Sequence, residues 1–294
     1  MDRSWSGKTE GGTFGQRFLL WYFRHGSIRL LYIVLALVVP FYMLFAHKRY
    51  LAIYHYFRKI LHRSVLSSFV STYKNHFLFG QAMFDKMTLF AGRTDKYRLE
   101  LVGNEVFDNQ LDNPKGIVMA SSHCGNFELA GHILKQNKKN INALAFGDEN
   151  PDYQKARQKS LDKHNITLIP AKEDMSHILV VNNALQNGEI VISPSDRAYK
   201  GSRMAKFNFL GKEADFPTGP FYFASRFDTN LFTVFVMKEG PFHYKGYVYQ
   251  LHVITDSKNS NQNAIDTAKG YVEIYEKIMK KYPLQWYNFF EFWS

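Results

Sequence analysis

Cysteine is nearly missing from this chain. Of 294 residues, Cys124 alone is a cysteine, which excludes an intrachain disulfide framework and any multi-cysteine zinc site. A Gly-x-Ser-x-Gly elbow is also absent, removing the usual serine-hydrolase route to ester chemistry. His132, His164 and His177 lack metal-ligand spacing and are assigned no role; no cofactor is expected. There is no internal repeat, low-complexity tract, basic tail or nucleic-acid recognition motif. The excess of positive charge therefore does not point to nucleic acid.

What is present is aromatic and basic. The 26 Phe, 18 Tyr and 4 Trp make up 16% of the residues, and the net charge is +11. Tyr and Trp suit a membrane interface because one end is apolar and the other polar. A basic surface suits anionic lipid or an acidic protein. Residues 30–46 form one uncharged run, with Arg29 before it and Lys48-Arg49 after it. That length lies at the lower end of the ~17–25 residues that span a bilayer. The run begins too deep in the chain, and without a small-residue cleavage pattern, to read as a signal peptide. Pro40 within it predicts either a kinked spanning helix or two short helices entering and leaving one leaflet. The organisation expected is a polar and aromatic leader over 1–25, membrane-anchoring and membrane-facing helices over 26–92, and a final domain over 93–294.

That final domain reads as alternating strand and helix. Apolar runs at 116–122, 141–146, 166–171 and 189–193 predict strands, with helical patterns at 128–135, 151–164 and 175–187 between them. Strands separated by crossover helices predict an α/β fold with a mixed, largely parallel sheet flanked by helices. Further on, a hairpin is expected around Gly211, a helix after Pro217, and strands over 230–237 and 244–254. Ile265, Ala268, Val272, Tyr275 and Met279 mark the apolar face of a last helix, which Pro283 ends.

The segment Ser121-Ser122-His123-Cys124-Gly125-Asn126-Phe127-Glu128 directly follows the first buried strand. In a parallel sheet the C-terminal ends of strands are where ligands bind. Gly125 and Asn126 readily take turn and cap conformations. His123 is thus expected in a turn, with Glu128 projecting back toward it from the first helical turn. A carboxylate on one imidazole nitrogen fixes the tautomer and leaves the other nitrogen to accept a proton. On that reading His123 and Glu128 are catalytic, and Gly125 and Asn126 supply the substrate-binding turn. Asp196 and Arg197 follow another buried strand and are expected to position substrate. Cys124 adjoins His123, but adjacent side chains in a turn diverge, so it is not read as the nucleophile. Lys135, Lys138, Lys139, Lys155, Arg157, Lys159 and Lys163 form either a solvated face or a docking patch.

His123 and Glu128 fit the His-x4-Asp/Glu motif of glycerolipid and lipid A acyltransferases, and the chain as a whole resembles the lipid A late acyltransferase family. The resemblance runs from the N-terminal apolar segment through His-x4-Glu and Gly188-Glu189-Ile190-Val191 to Asp196. It continues through Phe207-Asn208-Phe209-Leu210-Gly211-Lys212-Glu213-Ala214 and Thr218-Gly219-Pro220 to Tyr282-Pro283-Leu284-Gln285-Trp286. The resemblance implies transfer of a fatty acyl group from an acyl carrier protein or coenzyme A thioester to a lipid hydroxyl. It also implies no metal, and a location at the bacterial inner membrane with the active domain facing the cytoplasm. Residues 171–175 read Ala-Lys-Glu-Asp-Met, so an acceptor-binding arginine often found there in the family is not carried over. A catalytically silent lipid-binding protein, or a thioesterase using the same His–Glu pair, are the competing readings.

Overall fold

The computed structural model describes residues 21–45, 47–130, 138–145, 161, 165–171, 174, 176–197, 201–256 and 258–293, with backbone only at Phe90 and Glu128. The apolar run forms one helix, α1 (Ile28–Phe45), which continues through Pro40 rather than dividing there. After it come α2 (His47–His55), a π-turn (Tyr56–Ile60) and the long α3 (Val65–Phe90). Ser64 caps α3 by accepting the Ser67 amide at 3.3 Å, satisfying one of the free donors of a first turn.

The later elements follow the alternation read from the sequence. They are β1 (Arg98–Val102), α4 (Asn104–Asp108), β2 (Ile117–Ser121), β3 (Ile141–Ala145), β4 (Ile166–Pro170), α5 (His177–Gln186) and β5 (Ile190–Pro194). The hairpin β6 (Met204–Phe209) and β7 (Lys212–Pro217), α6 (Gly219–Phe227), β8 (Asn230–Gly240), β9 (His243–Leu251) and α7 (Ser260–Lys281) complete the chain. The edge strand β1 and the π-turn had no counterpart in the sequence reading. Of the helices expected at 128–135 and 151–164, the structure describes only a 3-10 turn at Phe127–Leu129 with Ala130, and Leu161; the rest lies outside the described residues.

Seven strands form one sheet in the order β1-β9-β8-β2-β5-β3-β4. All neighbours are parallel except the antiparallel pair β8–β9. Successive residues of β2 alternate between two cores: Val118 and Ala120 lie in one, Ile117 and Met119 in the other. A strand buried on both faces must be apolar at every position, which is why 117–120 carries no polar residue. The first core is built largely from α7, whose Ala268, Tyr271, Val272, Tyr275 and Met279 are buried. β2 and β5 send the chain in opposite directions, to β3 on one side and through the hairpin to β8 on the other. Ligands in α/β sheets bind beside such strand ends.

Candidate functional site

β2 and β5 are neighbours in parallel register, with Ser121 opposite Pro194. Each strand then runs two residues further before turning, so His123 and Asp196 come side by side. The amide of Ser195 donates to the Ser121 carbonyl at 2.8 Å and carries the pairing past the strand ends. His123 Nδ1 lies 2.8 Å from Asp196 Oδ1, and the His123 amide donates to Oδ2 at 2.7 Å. One carboxylate thereby holds both the backbone and the ring of His123. Tyr275, reaching up from α7, donates its hydroxyl to Asp196 Oδ2 at 3.3 Å.

The electrostatics follow from burial. Asp196 is fully enclosed, and burial alone would push its carboxyl up. The facing His123, its hydrogen bonds and neighbouring Arg197 outweigh this and hold the carboxyl below the usual range. An ionised Asp196 fixes the proton on Nδ1 and leaves Nε2 as the basic nitrogen. The His123 side chain keeps 23% of its surface exposed while that of Asp196 keeps none. The imidazole thus faces outward and the carboxylate inward.

The turn carrying His123 is held by a segment to which the sequence reading gave no role. Gly125 donates to the Gln285 carbonyl at 2.8 Å, and Tyr287 donates to the His123 carbonyl at 3.2 Å. These bonds make a two-residue antiparallel bridge between Cys124 and Trp286. Asn126 donates its amide to the Val236 carbonyl at 2.7 Å, and its side chain donates to Ala82 in α3 at 3.0 Å. Gly125 has φ 58°, and a Cβ there would stand 2.1 Å from the Val236 carbonyl oxygen, so glycine is required twice over. With the amides of His123, Gly125 and Asn126 all engaged, none is free to stabilise an oxyanion in this conformation. The sequence signal for this support was Tyr282-Pro283-Leu284-Gln285-Trp286, a motif without an obvious chemical group.

The other expected residues are placed as follows. Asp196, expected to position substrate, lies beneath His123 and spends both oxygens on it. Arg197 donates Nη2 to the Tyr287 carbonyl at 2.5 Å and sits 5.5 Å from the Phe290 ring centre. Its buried Nε has no hydrogen-bond partner among the described residues. Glu128 lies in the 3-10 turn that follows the motif, and its side chain lies outside the described residues. Cys124 is fully buried 3.0 Å from Ser122 Oγ, and burial pushes its thiol far above the normal range. That makes it a poor nucleophile. Of the basic residues near the motif, Lys138 pairs with Asp112 at 2.7 Å, and Lys139 donates to the carbonyls of Asn113 at 2.7 Å, Lys115 at 3.0 Å and Gly188 at 2.5 Å. Lys139 therefore serves the fold. Lys135, Lys155, Arg157, Lys159 and Lys163 lie outside the described residues, and no group of His, Cys, Asp and Glu suited to a metal occurs among the described ones.

Residues 73–294 match a family model described as bacterial lipid A biosynthesis acyltransferase. Among solved structures, the chain shows similarity to the 1-acyl-sn-glycerophosphate acyltransferase PlsC from Thermotoga maritima, at 11% identity and a TM-score of 0.42, with 88% of this chain and 99% of that one covered. No curated protein matches the chain.

Proposed function

We propose, from the premise that this chain belongs to the bacterial lipid A biosynthesis acyltransferase family, that it moves a fatty acyl chain from a thioester onto a hydroxyl of a lipid A precursor or a related membrane lipid. The donor is an acyl carrier protein or coenzyme A thioester, and the site of action is the cytoplasmic face of the bacterial inner membrane. One observation carries the mechanism: an outward-facing imidazole whose inner nitrogen rests 2.8 Å from a buried carboxylate at the end of a parallel sheet.

The reaction is a direct transfer. His123 Nε2 takes the proton of the acceptor hydroxyl as its oxygen attacks the thioester carbonyl. The tetrahedral intermediate collapses with cleavage of the carbon–sulfur bond, and the leaving thiolate recovers the proton from His123. No covalent enzyme intermediate is needed, which agrees with the enclosed Cys124. Asp196, 2.8 Å from His123 Nδ1, is assigned an orienting role beside the one expected of Glu128. We assign Glu128 to the same site as its second carboxylate. Arg197, whose buried Nε–H has no partner among the described residues, is assigned to substrate positioning. The turn at Gly125 and Asn126 sets the floor against which substrate is held.

The test is acyl transfer by purified protein from an acyl carrier protein thioester, and from the coenzyme A thioester, to a lipid A precursor. Acylated lipid as the product supports the reading. Free fatty acid as the sole product would move the assignment to a thioesterase, and no turnover with either donor would leave a lipid-binding protein. Reversing the charges of Lys155, Lys159 and Lys163 together is expected to raise KM for the carrier-protein donor, most strongly at low ionic strength. An unchanged KM would remove carrier-protein docking from this face.

A further inference from the structure

Charge is distributed unevenly along this chain. Between Gly11 and Phe84 there is no Asp or Glu, while nine Lys and Arg fall there; the remaining residues carry 28 basic against 26 acidic. Nine of the eleven net positive charges therefore reside in the N-terminal helices and the segment leading into them. Arg24, Arg29, Lys48, Arg49, Arg58 and Lys59 are all exposed. Among the described residues none of the six pairs with a carboxylate.

The same helices show their apolar side outward. α1 buries Ile28, Tyr32, Val39 and Met43 and exposes Ile33, Leu37, Phe41 and Leu44, the last at 75%. These exposed positions recur at helical spacing and form one stripe. α3 is inverted relative to a helix in water. Its buried residues include Ser68, Ser71, Thr72, Asn75, His76 and Asp85, whereas Val65, Leu66, Phe69 and Val70 near its start are exposed. Exposed cations at both ends of an outward apolar helix, in a stretch of sequence without an acidic residue, match an anionic bilayer surface, and the carboxylate that does stand there, Glu291, is taken up by His55 at 2.8 Å.

α1 is also fastened to the body along its length. Near its start, Tyr32 donates to Asp85 of α3 and, at 3.1 Å, to the Pro241 carbonyl beyond β8. Midway, Tyr73 of α3 donates to the Ala36 carbonyl at 3.1 Å, and near the end the Tyr42 ring lies 5.9 Å from that of His76. α3 in turn is tied to the catalytic support, with Asn75 donating to the carbonyls of Leu284 at 3.1 Å and Trp286 at 2.7 Å. A spanning α1 would draw the polar inner face of α3 and that segment into hydrocarbon, where unpaired backbone and polar groups are costly. At 18 residues and ~1.5 Å each, α1 is about 27 Å long, itself short of the ~30 Å core.

We infer that α1 does not cross the membrane. The outer face of α1 and the start of α3 lie flat in one anionic leaflet, held by the exposed Arg and Lys at its rim. The inference rests on the proposed function only in expecting lipid substrate at that surface.

The experiment uses the full chain, exchanged from detergent onto vesicles of phosphatidylcholine with or without phosphatidylglycerol. Anionic lipid is expected to tighten binding by tenfold or more, and salt to weaken it. The variant Lys48→Glu/Arg49→Glu/Arg58→Glu/Lys59→Glu should lose about a hundredfold or more on anionic vesicles, since each basic residue near such a surface contributes severalfold. Its acyl transfer in detergent micelles should equal that of the unaltered chain, which separates failure of this inference from failure of the catalytic reading. Cysteines placed singly at Ser27 and His47, in a Cys124→Ala background, should react with an impermeant maleimide from the same side of sealed vesicles. Labelling from opposite sides, equal affinity for neutral and anionic vesicles, or burial of the apolar face in a dimer that ignores vesicles would each overturn the inference. So would unchanged anionic binding by the charge-reversed variant.

Discussion

Two buried carboxylates in this protein each hold a nitrogen partner, in different surroundings. Asp196 meets His123, and Asp85 meets Lys238. Asp85 accepts from Lys238 Nζ at 2.5 Å and from the hydroxyls of Tyr32, Tyr244 and, at 2.9 Å, Tyr97. Lys238 Nζ also donates to the Pro241 carbonyl at 2.8 Å. Its side chain is 4% exposed, and burial pulls its ammonium below the normal range against the opposing pull of Asp85. Nothing in that cluster faces out. At the other site the carboxylate is as deeply enclosed, yet its partner keeps one nitrogen toward the surface. A closed cluster joins α1, α3 and the sheet, while the other pair stays open at the strand ends. A buried carboxylate bonded to a nitrogen is common to both, and the nitrogen left toward the surface separates them.

The sharpest test of that contrast is removal of the base. His123→Ala is expected to lower kcat about 10²–10⁴-fold with little change in thermal midpoint. Asp196→Asn should fall in the same range. The double variant should be scarcely worse than His123→Ala, because the two act as one unit. Near-normal turnover by His123→Ala would break the assignment. Glu128→Gln sharpens it: a kcat loss matching that of Asp196→Asn would place both carboxylates on the histidine, and a pure KM effect would place Glu128 on substrate.

Asp85→Asn should show the reverse pattern. Breaking a buried pair strands a charge, typically at a cost of about 3–5 kcal/mol, read as a lower midpoint in chemical unfolding with kcat retained while the protein stays folded. Asp85→Leu/Lys238→Met, which removes both charges, should be milder than either single change. If single and double variants are equally unstable, the cluster is packing rather than charge.

Smaller effects follow at Cys124 and in acid. Cys124→Ala leaves a small cavity and should lower stability by about 1 kcal/mol while keeping most activity; a trapped acyl-cysteine would replace direct transfer by covalent catalysis. The folded Asp196 carboxyl lies below its normal range, so its contribution to stability is present above about pH 4 and fades as pH falls through the lower folded value. The stability gap between the unaltered chain and Asp196→Asn should therefore narrow only in strong acid. A gap that narrows near neutrality would contradict an ionised Asp196.

Much of the frame was legible from residue order. The apolar runs at 116–122 and 189–193 announced strands buried on both faces, since only apolar side chains tolerate two cores. Polar residues just after them marked strand ends, which brought out His123 and Asp196 separately. Leu210 and Gly211, both at positive φ, close the hairpin expected there with a two-residue turn. The apolar stripe of α7 and the stop at Pro283 were equally local signals.

What the chain's order withheld was adjacency. His-x4-Glu lies within one stretch and invited a local pairing. The bond from His123 to Asp196 spans 73 positions and exists because β5 inserts beside β2, with β3 and β4 beyond it. Strand order depends on the summed packing of both faces, which no window of sequence contains. The Gln285 and Tyr287 backbone bonds that hold the His123 turn were hidden for a related reason, since any residue type offers the same amide and carbonyl. The sequence by itself determined the alternating elements, the apolar N-terminal run and the histidine at a strand end. Only the tertiary structure decided that Asp196 meets the histidine and that α3 turns its polar side inward, because both depend on packing partners far away in the chain.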